Sequence, residues 1–138
     1  MFYTGVGSRK TPDEVLVAQY LQATLLARQG YRLRSGGADG ADTAFARGAG
    51  ASCDVYLPWR GFIKPGDGRH IVASSLGNYV DALRIASQIH PVWEKLSNGA
   101  RALHARNVYQ VLGDDLATPC NFMLCWTPAG EECEAECT

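Results

Sequence analysis

The chain has 138 residues, of which 46% are hydrophobic, and its 13 basic and 14 acidic residues give a formal net charge of −1. One packed domain of ordinary size accounts for this length. The near-neutral charge argues against a large footprint on duplex DNA. Neither a run of about 18 apolar residues nor a signal-peptide pattern is found, so we expect a soluble, cytoplasmic protein without membrane contact.

Strand and helix signals alternate through the first 60 residues. MFYTGVG predicts a strand, and TPDEVLVAQYLQATLLARQG predicts a helix with Thr11 as N-cap, Pro12 at the first helical position, Glu14 at the third and Gly30 after its end. YRLRS and CDVYLPW predict two further strands on either side of a short helix in ADTAFARGAG. This order predicts an α/β fold with a parallel sheet and right-handed crossovers.

The second half of the chain is less regular. Residues 60–70 contain three glycines and a proline and are predicted to form a surface loop. NYVDALRIASQIH predicts a helix, and VWEKLSNGARALHARNVYQVLG predicts another that is interrupted near Asn98 and Gly99. NFMLCW is predicted as a fourth strand. The apolar face of the first of these helices is expected to consist of Val80, Leu83, Ile85 or Ala86, and Ile89.

The five cysteines are unevenly placed, with Cys53 alone and Cys120, Cys125, Cys133 and Cys137 near the end of the chain. Their spacing lacks the paired C-x2-C knuckles of common zinc sites, so we expect no metal. Free cysteines are among the most buried residues, and we predict that Cys53 and Cys125 are small core residues on strands.

Glycine-rich turns follow the first two predicted strands, in TGVGSRK and RSGGADGADTAF. In parallel sheets, ligands bind at the carboxyl ends of strands, where the next helix presents free N–H groups to phosphate. Glycine lets the backbone approach an anion, and serine and arginine add hydrogen-bond donors. We therefore predict that a phosphate-bearing ligand contacts Gly5, Gly7, Ser8, Arg9, Ser35, Gly36, Gly37, Asp39, Gly40 and Asp42.

These residues also have structural explanations. The glycines are compatible with tight turns that bind nothing. For Asp39, capping of the following helix is the favoured interpretation. For Asp42, ligand contact and a structural role are both open.

Five segments in order, GVGSRKTP, SGGADGADTAF, YLPW, HPVWEKLSNGARALHARNVYQVLG and NFMLCWTP, resemble the SLOG superfamily. This superfamily joins bacterial SMF/DprA-type proteins with the LONELY GUY (LOG) enzymes, and the chain is most similar to its small phage and bacterial members. The resemblance implies a nucleotide-binding domain over residues 1–130, followed by an acidic, cysteine-containing tail over residues 131–138. It also implies a Rossmann-like three-layer fold with a mainly parallel sheet.

The resemblance adds Arg106 and Asn107 to the predicted site. In LOG enzymes an arginine on the corresponding helix helps break the N-glycosidic bond of a nucleoside 5'-monophosphate, and Arg106 matches it. Arg101 lies on a different helical face and is expected to be a solvated charge. LOG enzymes also carry a second glycine motif followed by an essential glutamate, but here CWTPAG continues into EECEAECT. We therefore expect a C-terminally shortened fold that binds without turnover or cofactor.

Three functions follow as alternatives. The first is a sensor or sequestering protein for a nucleotide-derived signal, in the host cytoplasm if phage-encoded. The second is a phosphoribohydrolase, and the third is a DNA-binding recombination mediator, which the scattered basic residues make unlikely. The resemblance further implies a homodimer or higher homo-oligomer that pairs through residues 92–112, with Trp93, Leu96, Leu103 and Tyr109 as anchors.

Overall fold

The computed structural model describes residues 1–64 and 66–128. Its strands are β1 (Phe2–Gly5), β2 (Arg32–Ser35), β3 (Cys53–Leu57), β4 (Arg69–Val72) and β5 (Phe122–Leu124). Its α-helices are α1 (Asp13–Arg28), α2 (Ala41–Ala49), α3 (Tyr79–Ile89) and α4 (Asn98–Leu112), with short 3-10 turns at Ala73–Ser75 and Trp93–Lys95. The described strands form one all-parallel sheet in the order β4-β3-β2-β1-β5. The predicted α/β class is confirmed.

Side chains of the sheet alternate between two helical layers because successive residues of a strand point to opposite faces. Tyr3, Leu33 and Val55 belong to one core cluster together with Ala23 of α1 and Phe45 of α2. The helices α1 and α2 therefore cover one face of the sheet.

The opposite face is covered by α3 and α4. Tyr56 of β3 stacks on Tyr109 of α4, with 5.8 Å between ring centroids. Ala82 and Ala86 of α3 belong to the same buried cluster. Thr4 of β1 donates a 2.7 Å hydrogen bond to a backbone carbonyl of α4. Helices on both faces of a parallel sheet give the Rossmann-like three-layer arrangement.

A buried arginine ties the end of α4 to the sheet. Arg34 of β2 donates through Nη1 to the carbonyl oxygens of Val111 (3.1 Å) and Thr118 (2.7 Å). Its guanidinium carbon lies 4.1 Å from the centroid of the Phe2 ring. A cation is favoured beside the C-terminal carbonyls of a helix, so this charge is structural.

A second charged cluster lies near the amino ends of β2, β3 and β4. The Asp54 carboxylate accepts from Arg32 (2.7 Å) and from Arg69 (3.1 Å), and Arg69 also pairs with Asp114 at 2.9 Å. Burial raises the pKa of Asp54, but its two arginine partners outweigh burial and hold the pKa below its ordinary value. Tyr56 donates to Asp114. The cluster joins neighbouring strands to the segment after α4, at the opposite end of the sheet from the glycine turns.

Several sequence predictions about element boundaries were wrong. The first helix begins at Asp13 with Pro12 at the N-cap, and Thr11 instead donates through its hydroxyl to the Ser8 carbonyl at 2.6 Å. Residues 60–70 were predicted to be a loop, but β4 begins within them at Arg69. The strand in NFMLCW, predicted as the fourth, is therefore the fifth. The predicted interruption near Asn98 and Gly99 is confirmed, because a 3-10 turn at Trp93–Lys95 precedes α4, which begins at Asn98 with the Ser97 hydroxyl as its cap.

Two predictions of burial hold only in part. On α3, Ala86 is buried and Leu83 and Ile85 pack against the same core cluster, as predicted, whereas Val80 and Ile89 are each 75% exposed. The other buried residue of this helix is Ala82. Cys53 is buried on β3 as predicted, whereas Cys125 is exposed just after β5.

Residues 1–64 and 66–128 were compared with two further predictions, on metal sites and on membrane spans. They contain no group of three or more potential metal ligands. None of their helices is long and apolar enough to cross a membrane. The predicted tail at 131–138, with Cys133 and Cys137, lies outside the described residues.

Candidate ligand-binding site

The two glycine-rich turns lie against each other at the carboxyl ends of β1 and β2. A Cβ atom on Gly40 would lie 2.8 Å from Arg9 Cα and 2.8 Å from the Ser8 carbonyl oxygen. Gly40 also has a φ of +83°, which favours glycine. The second turn therefore supports the first through direct backbone contact.

The glycines of the first turn make room for α2. A Cβ on Gly5 would lie 2.6 Å from the Phe45 ring, and a Cβ on Gly7 would lie 2.7 Å from Ala41 Cβ. These two glycines have a packing role, although Gly7 also lines the cavity described below. The Ser8 hydroxyl accepts a 3.0 Å hydrogen bond from the Lys10 amide within the turn.

The side chain of Arg106 extends from α4 to the second glycine-rich turn. Its Nη1 donates to the Gly36 carbonyl, and its Nε donates to Asn107 Oδ1 at 2.9 Å. Arg106 is only 3% exposed. No carboxylate among the described residues lies at ion-pair distance from this guanidinium. A buried cation is therefore held by a carbonyl and an amide oxygen.

Asp42 lies on the other side of Gly36 and is buried. A Cβ on Gly36 would lie 2.5 Å from Arg106 Nη1 and 2.9 Å from Asp42 Oδ2, so only a residue without a side chain fits between them. Asp42 Oδ2 accepts from the Ala38 amide at 3.2 Å, and its carbonyl accepts from the Ser35 hydroxyl at 3.2 Å. The structural role left open by the sequence is thus present.

The pKa of Asp42 reflects the removal of its carboxyl group from water. Burial raises its pKa from an ordinary 3.8 to about 6, and the positive charges of Arg106 and Arg9 only partly oppose the rise. Burial likewise lowers the pKa of Arg106, while Asp42 opposes that change. The two groups feel each other's charge without forming a close ion pair.

A cavity of about 210 Å³ opens between the first turn, the second turn and α4. Five predicted residues line it, namely Gly7, Arg9, Asp42, Arg106 and Asn107. The remaining lining residues are Thr4, Val6, Ala38, Gln110, Val111, Met123 and Cys125. Two arginines against one carboxyl group leave an excess of positive charge.

Sequence reasoning missed Gln110, which follows Arg106 by one helical turn on the same face of α4. That spacing was the available signal, because residues four apart on a helix are neighbours. Gln110 is buried, and its Nε2 has no hydrogen-bond acceptor in the described part of the chain. The cavity wall thus contains an unsatisfied donor.

Two predicted residues face a different cleft. Gly37 and Asp39 line a cleft of about 390 Å³ with Arg47, Lys64 and His70, on the other side of the second turn. The interpretation of Asp39 as a helix cap is wrong, because it is exposed and α2 has Gly40 at its N-cap without a side-chain cap bond.

Gly37 is required by the fold itself. It has a φ of +73°, and a Cβ there would lie 3.0 Å from both Ile63 and Val55. A larger residue at this position would therefore disturb the backbone and the core, whether or not a ligand binds. Gly36 is the better probe of the cavity, because its φ is not in the left-handed region and an added Cβ would meet the Arg106 and Asp42 side chains rather than the core.

Arg101 and Tyr109 differ from their predicted roles. Arg101 donates to the Trp93 carbonyl through Nε (3.2 Å) and Nη2 (3.1 Å), so it fastens the preceding 3-10 turn to α4 and is not simply a solvated charge. Tyr109 is buried in the core, which excludes it as an anchor of a dimer.

No family model, curated protein or solved structure matches this chain. The resemblance to the SLOG superfamily therefore stays a prediction from its motifs.

Proposed function

We propose that this protein binds a phosphate-bearing nucleotide or nucleotide derivative, with the phosphate in the cavity beside Arg106. The buried state of Arg106 carries the proposal. Burying a cation costs free energy unless an anion compensates its charge. Arg106 is buried, and no carboxylate of the described residues lies at ion-pair distance from it. A phosphate would provide the missing negative charge.

The surroundings of Arg106 supply further donors. Gln110 Nε2 is an unsatisfied donor in the cavity wall, and Arg9 lines the same cavity from the first turn. The positive end of the α2 dipole also lies here, since Asp42 is in the first turn of that helix. Donors from three elements around a small space are typical of anion binding.

The apolar part of the wall favours a phosphate ester over free phosphate. Val6, Val111 and Met123 line the cavity beside the charged groups. Its volume of about 210 Å³ is below the roughly 300 Å³ of small drug-binding pockets, so it suits the phosphate end of a nucleotide while the base extends outward. Binding of this kind supports a role in sensing or sequestering a nucleotide-derived signal.

Cleavage of the N-glycosidic bond is a second candidate, favoured by one observation. Asp42 places a carboxyl group with a pKa of about 6 in the same cavity as Arg106. Departure of a base builds positive charge on ribose, which a carboxylate can stabilise, and a group that titrates near neutrality can transfer a proton. The structure gives no comparable support to DNA binding, because Arg32, Arg34 and Arg69 are engaged in bonds within the fold.

Calorimetry with the four nucleoside 5'-monophosphates, adenosine and inorganic phosphate tests the proposal. At least one monophosphate should bind more tightly than adenosine, and inorganic phosphate should compete with it. Arg106→Ala should weaken binding by about 10- to 150-fold, equal to about 1.5–3 kcal/mol, and Arg106→Lys should recover only part of it. Arg84→Ala, an exposed arginine on α3, is the matched control.

Three outcomes of these experiments are informative. Equal affinity of the parent and Arg106→Ala would refute phosphate binding at this cavity. Chromatography of the same mixtures measures free base. Release of base that is lost in Asp42→Asn would establish hydrolysis, whereas tight binding without release would establish the sensor or sequestering role.

A further inference from the structure

The outer face of α1 carries an uncovered apolar stripe. Ten large hydrophobic side chains of the described residues are exposed, and four of them lie on α1. Val17, Leu21 and Leu25 are 59%, 55% and 51% exposed, with Tyr20 beside them. A spacing of four residues places the three aliphatic side chains along one side of the helix.

The protein's own core does not use this side of α1. The buried residues of the helix are Gln19, Ala23 and Leu26, which face the sheet and α2. The exposed apolar residues of α3 form no comparable stripe, because Val80 and Ile89 are nine residues apart and lie on opposite sides of that helix. Of these two helices, only α1 therefore carries a continuous exposed apolar stripe.

The sequence of α1 is symmetric in character about Leu21. In an antiparallel pair of α1 helices related by a two-fold axis at Leu21, the two copies of Leu21 meet. Val17 of each helix then opposes Leu25 of the other, and Glu14 opposes Arg28. The apolar contacts and the opposite charges thus match in the same register, as a two-fold interface requires.

Glu14 and Arg28 are free to make this contact. Both are exposed, and neither takes part in an ion pair among the described residues. Glutamate in the first turn and arginine in the last turn also complement the dipole of their own helix. Charge complementarity at both ends of an apolar stripe identifies a second copy of this chain as the partner.

We infer that α1 forms a two-fold, antiparallel contact between two copies of this protein. One helix per subunit buries less than the roughly 1,600 Å² of a standard interface, so dissociation in the micromolar range is expected. The contact differs from the predicted one over residues 92–112. It is independent of nucleotide binding, because the stripe contributes no residue to the cavity beside Arg106.

Analytical ultracentrifugation over about 1–200 µM protein, a range that spans micromolar affinity, tests this inference. The mass of the parent should rise from 14.9 kDa toward twice that value. Leu21→Arg should stay monomeric at every concentration. Val80→Arg changes an exposed aliphatic side chain on α3, outside the stripe, so this variant should dimerise like the parent and is the matched control. Circular dichroism checks that each variant is folded.

Charge reversal provides the specific test of register. Glu14→Arg and Arg28→Glu should each weaken dimerisation about tenfold, because the symmetry turns two attractive pairs into two repulsive ones. The double variant restores opposite charges and should recover the parent's dissociation constant. A monomer throughout the concentration series, a dimer that survives Leu21→Arg, or a double variant without recovery would each overturn the inference.

Discussion

Replacement of Asp42 by asparagine should stabilise this protein at neutral pH, although it removes a charge next to Arg106. Asparagine keeps the shape of the side chain and an oxygen that can accept from the Ala38 amide. It resembles the protonated carboxyl group, which is the form that burial favours. The variant therefore measures the free-energy cost of ionising Asp42 inside the fold.

The magnitude follows from the pKa shift. In the folded protein the pKa of Asp42 is about 6, against 3.8 for an unperturbed aspartate. The unfolded chain thus loses this proton at lower pH than the folded protein does, so stability is lost as pH rises from about 4 to about 6. A shift of roughly two units corresponds to about 3 kcal/mol. The difference between Asp42→Asn and the parent should be about 0.5 kcal/mol at pH 4 and about 3 kcal/mol at pH 7.

Urea unfolding at pH 4, 5, 6, 7 and 8 gives the free energies of unfolding. Taking the difference between the two proteins removes the contribution of all other titrating groups. Asp39→Asn removes an exposed carboxyl group from the same turn and is the control for the loss of one negative charge. If Asp42→Asn is less stable than the parent at pH 7, the attraction between Asp42 and Arg106 outweighs burial. Asp42 would then compensate the charge of Arg106, and Arg106 would need no external anion.

Three further predictions concern the cavity and the core. Gly36→Ala places a Cβ 2.5 Å from the Arg106 guanidinium, so nucleotide affinity measured by calorimetry should fall about tenfold; unchanged affinity would separate this contact from binding. Thr4→Val removes a buried 2.7 Å hydrogen bond to α4 and should cost about 1 kcal/mol in urea unfolding, whereas a neutral effect would show that the bond contributes nothing net. Burial raises the pKa of the Cys53 thiol to about 12, so a thiol reagent should modify exposed Cys125 in the native protein and Cys53 only after unfolding, as peptide mass mapping would show; rapid native labelling of Cys53 would contradict its burial.

The order of strands and helices could be read from the sequence because its signals are local. Glycine turns after short apolar runs, and the helix-start pattern around Pro12, depend on neighbouring residues and predict the α/β fold directly. The strand β4 was not predicted, because Arg69–Val72 follows a glycine-rich segment and is stabilised by its pairing with β3. That pairing joins segments that are distant in the sequence. The inner face of α3 was predicted only in part, because packing against α4 buries Ala82 and Ala86 and leaves Val80 and Ile89 at the two ends of the helix exposed.

The site shows the same division. The sequence identified the two glycine turns, and the resemblance added Arg106, but no spacing along the chain shows that its guanidinium meets the carbonyl of Gly36, 70 residues away. Only the tertiary structure places Gly37 on a separate cleft and raises the pKa of Asp42 to about 6. Burial and electrostatic energy depend on all neighbours in space, whereas turn and helix signals depend on neighbours in sequence. Local sequence therefore determined the helices, strands and turns, whereas the tertiary structure determined which charged side chains are buried.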